Sequence, residues 1–236
     1  MKRARPIVAI DGPAGAGKST VTRNVAERLG YRVLDTGALY RSVALASGRA
    51  RVSFEDDAGV SAIAVAMAAD NAIDFVPDAS LGQRVVLRGE DVSLAIRTQE
   101  ASDGASRVSA LPGVRAALLE LQRSIGREGG VVVEGRDIGS VVFPDAEAKF
   151  FLTATAEERA RRRHAELVQR GKASEYAVVL AEVIERDERD MRRAVAPLIQ
   201  APDAYVIDSS ALSIDEVVDV IVSQVRKIAD PIIARV

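Results

Sequence analysis

Residues 12–19, Gly12-Pro13-Ala14-Gly15-Ala16-Gly17-Lys18-Ser19, fill the pattern G-x-x-x-x-G-K-[ST] without a mismatch and follow directly on the apolar run Ile7-Val8-Ala9-Ile10. The run reads as a buried strand. The residues after the loop repeat apolar positions at Val21, Val25 and Leu29, one helical face, and Gly30 closes the helix. Strand, glycine loop and helix form the context in which this pattern cradles phosphate. Backbone N–H groups of the loop and of the helix N-terminus converge on phosphate oxygens, Lys18 reaches the β- and γ-phosphates, and the Ser19 hydroxyl is placed to hold Mg²⁺. Residues Gly12, Pro13, Ala14, Gly15, Ala16, Gly17, Lys18, Ser19 and Thr20 are therefore the expected binding loop for a nucleoside triphosphate.

The rest of the chain fits an α/β domain. Its 236 residues are 48% hydrophobic, enough for a substantial core and against disorder. Five short apolar runs end beside polar or glycine residues: Ile7 to Ile10, Val33-Leu34, Val131 to Val133, Phe150 to Leu152 and Tyr205 to Ile207. Helical patterns separate them, so the expected fold is a five-stranded parallel sheet with helices on both faces and ligands beyond the strands' carboxyl ends. Between about Ala50 and Ser102 the alternation breaks into a helical stretch, Ile73-Asp74-Phe75-Val76, a turn at Pro77-Asp78 and a second short run Arg84-Val85-Val86-Leu87, which reads as an inserted subdomain. Leu111-Pro112-Gly113 splits the two helices that follow. Capping boxes are expected at Thr155-Ala156-Glu157-Glu158 and Ser213-Ile214-Asp215-Glu216.

Composition excludes several function classes. Lys and Arg number 32 against 34 Asp and Glu, a net charge of -2, so no global positive field draws the protein to nucleic acid or to an anionic membrane. The basic start Lys2, Arg3, Arg5 precedes only four apolar residues before Asp11, too few for an export signal, and the alanine-rich stretch Ala62 to Ala69 ends at Asp70, far short of a bilayer span. A soluble, cytoplasmic protein without nucleic-acid or membrane partners is expected. With no cysteine, neither a disulfide framework nor a thiolate metal site is possible.

Three further groupings carry chemistry. Val131-Val132-Val133-Glu134-Gly135-Arg136-Asp137-Ile138-Gly139 is a buried strand ending in a carboxylate, with Glu134 placed to approach a Mg²⁺ shell together with Ser19. Arg136 and Asp137 follow between two glycines and either turn into a cleft or form a surface ion pair at a tight turn. Arg159, Arg161, Arg162 and Arg163, with Arg170 beyond, crowd positive charge on one short helix. Arg159 and Arg163 are like charges at i, i+4, costing a few tenths of a kcal/mol unless an anion lies between them. The competing reading is a solvated face balanced by Glu157, Glu158 and Glu166. His164 in this run reads as a solvated residue rather than a base. Arg186, Asp190 and Arg193 fall at i, i+4 and i+7, projecting from one helical face, among ordinary charge ladders such as Glu185 with Arg189 and Glu188 with Arg192.

Taken together, the residues resemble the bacterial-type cytidylate kinases of the nucleoside monophosphate kinase family. The resemblance rests on Ile10 to Lys18, on Leu34-Asp35-Thr36-Gly37-Ala38-Leu39-Tyr40-Arg41, and on Gly89-Glu90-Asp91-Val92-Ser93 with Ile96-Arg97-Thr98. It continues through Glu134 to Gly139 with Val142-Phe143-Pro144-Asp145, and through Glu185-Arg186-Asp187 to Asp190 and Arg193-Ala194-Val195-Ala196-Pro197-Leu198. Thr36 stands where serine is frequent, Ser19 where some members carry glycine, and Glu134 where aspartate is common. The resemblance implies a P-loop kinase fold with a core at 1–41, 104–156 and 172–236, a nucleoside-monophosphate-binding insertion at 42–103 and a helical lid at 157–171. It implies a monomer that transfers a phosphoryl group from ATP, with Mg²⁺, to CMP and dCMP. It puts the acceptor phosphate among Arg41, Arg136 and Arg193, the cytosine near Thr36, Arg115, Asp137 and Arg193, and the sugar near Ser106, Arg186 and Asp190. Lys18, Arg136, Arg193, Arg159 and Arg163 would then carry catalysis. Two other classes remain open at this point: a nucleotide-dependent switch acting on a protein, against which stands the absence of an N-K-x-D motif, and a related kinase with a hydroxyl acceptor, which would want a base.

Overall fold

The computed structural model of the chain describes residues 3–78 and 82–229. Lys2 of the basic start, residues 79–81 and the end of the stretch 172–236 lie outside the described residues. The chain divides into two compact units, one of residues 1–32 with 128–236 and one of residues 33–127. The stretch 42–103 lies inside the second.

All five apolar runs are strands of one parallel sheet: β1 (Ile7–Asp11), β2 (Arg32–Asp35), β6 (Val131–Gly135), β7 (Ala148–Thr153) and β8 (Tyr205–Asp208), in the order β2-β6-β1-β7-β8. Burial follows that order. The central β1 and its neighbour β6 are buried at every residue, which requires the unbroken Val/Ile/Ala runs seen in both, whereas the edge strands β2 and β8 alternate or face solvent. Each fully buried Ile or Val contributes about 1.5–3 kcal/mol relative to exposure. The parallel register pairs Ile10 with Glu134, Asp11 with Gly135 and Thr153 with Asp208. Polar residues from distant parts of the chain therefore emerge side by side at the sheet's carboxyl end.

Helices α1 (Lys18–Leu29), α6 (Ala156–Gln169), α7 (Tyr176–Arg192) and α8 (Ile214–Ala229) belong to this unit. Helix α1 buries Val21 and Val25 and ends at Gly30, whose N–H bonds back to Glu27. The α8 capping box closes from both sides: Ser213 N–H donates to Glu216 Oε2 at 2.8 Å, and Glu216 N–H donates to Ser213 Oγ at 3.2 Å. The α6 box forms only its first half. Thr155 Oγ1 accepts from Glu158 N–H at 3.2 Å, but the Glu158 carboxylate turns to Arg161 and Arg162, and Thr155 N–H donates instead to Ser210 Oγ. Two nearby guanidiniums outcompete a neutral amide for that carboxylate.

The second unit packs α2 (Thr36–Arg49), α3 (Asp57–Ala69), α4 (Gln99–Val108) and α5 (Pro112–Gly126) around its own core of Leu39, Val43, Val60, Met67, Val108 and Leu118. An antiparallel sheet of β3 (Ile73–Asp78), β4 (Gly82–Leu87) and β5 (Glu90–Asp91) completes it. Pro77 and Asp78, expected in a turn, are the last residues of β3, paired with Gln83 and Gly82. Pro77 faces the open side of an edge strand, where its missing N–H costs no ladder bond. Among the described residues no helix is long and apolar enough to cross a membrane.

Candidate active site

The loop between β1 and α1 is built for an anion. Gly12 follows the buried end of β1 at φ +149, and a Cβ there would stand 1.9 Å from the Leu152 carbonyl of β7, so only glycine lets the two backbones lie this close. Helix α1 starts from Gly17, which has no side chain to cap it, and its first N–H groups point into the loop. Lys18 is buried, and its Nζ donates to the Pro13 carbonyl at 2.6 Å, across the loop. Burial, with the nearby Arg136, pushes the Lys18 ammonium well below its ordinary range, while Glu134 works in the other direction. An ammonium so desolvated gains strongly from a phosphate.

Ser19 Oγ donates to Glu134 Oε2 at 2.9 Å, joining the start of α1 to the end of β6. The pair offers hard oxygens only, one hydroxyl and one carboxylate. Among the described residues no cluster of three acidic, histidine or cysteine side chains could hold a metal by itself. Such a donor set fits Mg²⁺, which keeps waters and takes other oxygens from substrate phosphates, better than a cation caged by protein.

Beyond Glu134 the chain makes its turn, and two ion pairs fix it. Arg136 Nε donates to Asp190 Oδ2 at 2.8 Å, and Arg193 Nη2 donates to Asp137 Oδ1 at 3.3 Å, with the Arg193 and Asp137 side chains 4% and 6% exposed. The alternative of a surface pair at this turn is thereby excluded. Asp190 feels burial, which pushes its carboxyl up, but Arg136, Arg186 and Arg193 outweigh it and hold the group below its ordinary value. Arg186 thus lies beside Asp190 on α7, as the spacing predicts. Arg193 reaches the group differently. Helix α7 stops at Arg192, and Arg193 is its extended cap at φ −61, ψ 140, steered by its bond to the Ala196 carbonyl rather than by helical periodicity.

The arginine-rich helix α6 resolves into two kinds of residue. Arg159 is buried and grips Asp187 with both nitrogens, at 2.9 and 2.5 Å, while also donating to Ala14 O at 3.1 Å and Ala154 O at 2.9 Å. It is thereby bonded to the wall of the phosphate loop. Arg163 pairs with Glu166 at 2.8 Å, the two side chains 29% and 43% exposed, and Arg161 and Arg162 share Glu158. His164 is half-buried, its Nδ1 3.1 Å from Ser174 Oγ. Thr20 is exposed on α1.

In the second unit, Asp35 caps α2, accepting from Ala38 N–H at 3.1 Å through one oxygen and from Arg41 Nη2 at 2.6 Å through the other. A Cβ on Gly37 would fall 2.9 Å from that guanidinium, so the glycine leaves Arg41 its place. Thr36 is buried at the first position of α2, Ser106 is buried on α4, and Arg115 lies 5.8 Å over the Tyr40 ring while donating to Ser109 O.

Sequence reasoning missed three carboxylates. Asp11, 4% exposed, accepts from Ile138 N–H at 2.7 Å and Gly139 N–H at 2.8 Å. Asp187 orients Arg159, and Asp35 orients Arg41. Asp11 and Asp35 both end strands, a position that marked them as polar but not as bonded to anything.

The family model for cytidylate kinase matches residues 8–227, which include every residue placed above. The chain belongs to the cytidylate kinase family. A cytidylate kinase of Shewanella loihica is 48% identical over 227 residues, covering 96% of this chain and 97% of that one. One of Citrifermentans bemidjiense is 51% identical over 221 residues, 94% and 93% of the two chains. A solved uncharacterized protein from Eubacterium ventriosum, 12% identical with a TM-score of 0.50, covers 94% of this chain and 99% of its own and is a likeness of fold alone.

Proposed function

We propose that the protein transfers the terminal phosphoryl group of ATP to CMP and dCMP, giving ADP with CDP or dCDP, as a monomeric cytoplasmic enzyme of pyrimidine nucleotide metabolism with no nucleic-acid or membrane partner. The observation that carries this reading is the single charged cluster around Lys18. The loop made for a triphosphate stands beside Arg136, Arg186, Asp190, Glu134 and, through Asp137, Arg193, a set with more cationic recognition than the donor alone requires.

The acceptor's phosphate monoester is already ionised near neutral pH, so no general base has to create the nucleophile. Catalysis reduces to alignment and charge stabilisation. Lys18 exchanges the Pro13 carbonyl for the β- and γ-oxygens of ATP. Ser19 and Glu134 are the residues that would hold Mg²⁺, which when bound offsets charge on those oxygens. Arg136 and Arg193 bind the acceptor phosphate, a role the resemblance also gives to Arg41. Asp137 accepts from the exocyclic amine of cytosine while Arg193, with Arg115 and Thr36, serves the ring edge; Ser106, Arg186 and Asp190 serve the sugar. Uracil would set a carbonyl against the Asp137 carboxylate and leave buried groups unpaired.

Arg159 and Arg163 have different parts. The two-nitrogen pair with Asp187, its side chains 5% and 14% exposed, is costly to break, so Arg159 holds the Ala14 wall of the loop. The Arg163–Glu166 pair is half-exposed and worth at most about 1 kcal/mol, so Arg163 is the arginine that exchanges its partner for the transferring phosphoryl group. Exclusion of water at that moment prevents ATP hydrolysis.

A coupled assay of ADP release decides the reading. Turnover that requires CMP or dCMP, is much weaker with UMP and vanishes in Lys18→Ala with an unchanged circular dichroism spectrum is the expected result. ATP hydrolysis indifferent to CMP would overturn it in favour of a nucleotide switch.

A further inference from the structure

We propose that Asp11 is a positioning residue for the acceptor, setting through two backbone bonds the turn that carries Arg136 and Asp137. Its two carboxylate oxygens each take one N–H, Ile138 at 2.7 Å and Gly139 at 2.8 Å, from the two residues that follow Asp137. These bonds span 127 and 128 positions of sequence. On its other side Asp11 is bonded covalently to Gly12, the first residue of the phosphate loop, so one side chain ties the donor loop to the acceptor turn.

The turn needs such an anchor. Asp137 sits at φ −147, ψ 27, outside regular structure, and its carbonyl accepts from both Val141 and Val142, opening a wide helical turn over Ile138–Val142. The first N–H groups of that turn have no partner within it, as at any helix start. Asp11 satisfies two of them with a negative charge at the positive end of the turn's dipole. Charge-assisted bonds to backbone N–H are short and direction-dependent, so the carboxylate fixes where Asp137 leaves the sheet and where its side chain meets Arg193. Burial of Asp11 at 4% exposure, which by itself disfavours a charge, is the sign that these bonds have a use beyond stability.

The proposal rests on the assignment of Asp137 to the acceptor base, and the experiment separates the two. Steady-state kinetics are measured for wild type, Asp11→Asn, Asp11→Glu and Asp137→Ala with CMP, UMP and ATP varied in turn. Asparagine keeps the shape but turns an NH₂ toward one of the two backbone donors. It should raise KM for CMP about tenfold, the factor that corresponds to one charge-assisted bond, and narrow the preference for CMP over UMP, with KM for ATP changed less than about twofold. Glutamate restores the charge and should recover part of the CMP affinity. A merely structural role would lower stability without splitting the two KM values. Equal shifts for ATP and CMP, or an unchanged CMP preference in folded Asp11→Asn, would overturn the proposal. If Asp137→Ala loses the preference while Asp11→Asn keeps it, only the role of Asp11 falls; if Asp137→Ala keeps it, the base assignment falls first. Should the variants not fold, hydrogen exchange on the wild-type chain serves: CMP should slow exchange of the Ile138 and Gly139 amides, and no slowing under saturating CMP would refute the coupling.

Discussion

Asp11 makes a prediction about acid stability whose size follows from its surroundings. Burial pushes its carboxyl up from 3.8 to about 6, against the lowering effect of the Gly139 and Ile138 N–H groups and of Lys18, and with Asp137 adding to the rise. Below pH 3.8 the group is protonated in both folded and unfolded chains, and its full contribution to stability is present. As pH rises, the unfolded chain releases the proton first, and the contribution is lost progressively until the folded group ionises near 6. The interval of about 2.2 pH units, at about 1.36 kcal/mol each, amounts to ~3 kcal/mol. Asp145, Asp190 and Asp208, whose carboxyls are held below their ordinary values, titrate with the opposite slope, so the Asp11 part is isolated by difference. Urea unfolding of wild type and Asp11→Asn is followed by circular dichroism from pH 3.5 to 7.5. The stability of wild type relative to the variant should fall by ~2 kcal/mol between pH 4 and 6, by ~3 kcal/mol over the whole titration, and stay level above about 7. A difference that is flat with pH, or that rises toward neutral pH, would show that the two backbone bonds outweigh burial and that the argument has the wrong sign.

Three other outcomes are expected. Asp137→Asn replaces an acceptor-only group with one that also donates, so kcat/KM for CMP should drop by a factor of about ten to a hundred while that for UMP holds or rises; parallel loss on both substrates would count against the base assignment. Gly12→Ala should cost about 3 kcal/mol or more of stability by denaturant unfolding, because its Cβ would meet the Leu152 carbonyl at 1.9 Å between two hydrogen-bonded strands, and a stable variant would refute the close approach. A double-mutant cycle on Arg159→Ala and Asp187→Ala should give a coupling of about 2–3 kcal/mol, whereas the same cycle on Arg163 and Glu166 should give less than about 1 kcal/mol; equal couplings would remove the division of labour between the two arginines.

Much of the site was legible because it is local. The phosphate loop draws its geometry from neighbours: Lys18 reaches Pro13 five positions back, and Gly17 opens α1 directly. The five strands were legible because a strand buried on both faces needs an unbroken apolar run, and Ile7 to Ile10 and Val131 to Val133 have no other use. The balancing of Arg161, Arg162, Arg163 and Arg170 by Glu158 and Glu166 was legible for the same reason, since i, i+3 and i, i+4 neighbours meet on any helix.

What spacing could not supply is the choice among partners that are equally suitable in chemistry and remote in sequence. Arg159 has no carboxylate three or four positions away on its own helix, and it takes Asp187, 28 residues on, because packing sets α7 against α6 there. Arg193 was read as part of a helical face, but the helix ends one residue earlier, and its direction comes from Ala196 and Asp137. By itself, the sequence of this protein determined its parallel sheet, its phosphate loop and its family, all properties of contiguous residues and their periodicity. Only the tertiary structure decided which carboxylate holds which cation or amide. Sheet register brings Asp11 level with Gly135, and burial then makes an unpaired charge too costly to leave, so the pairing is settled by what packing places within reach.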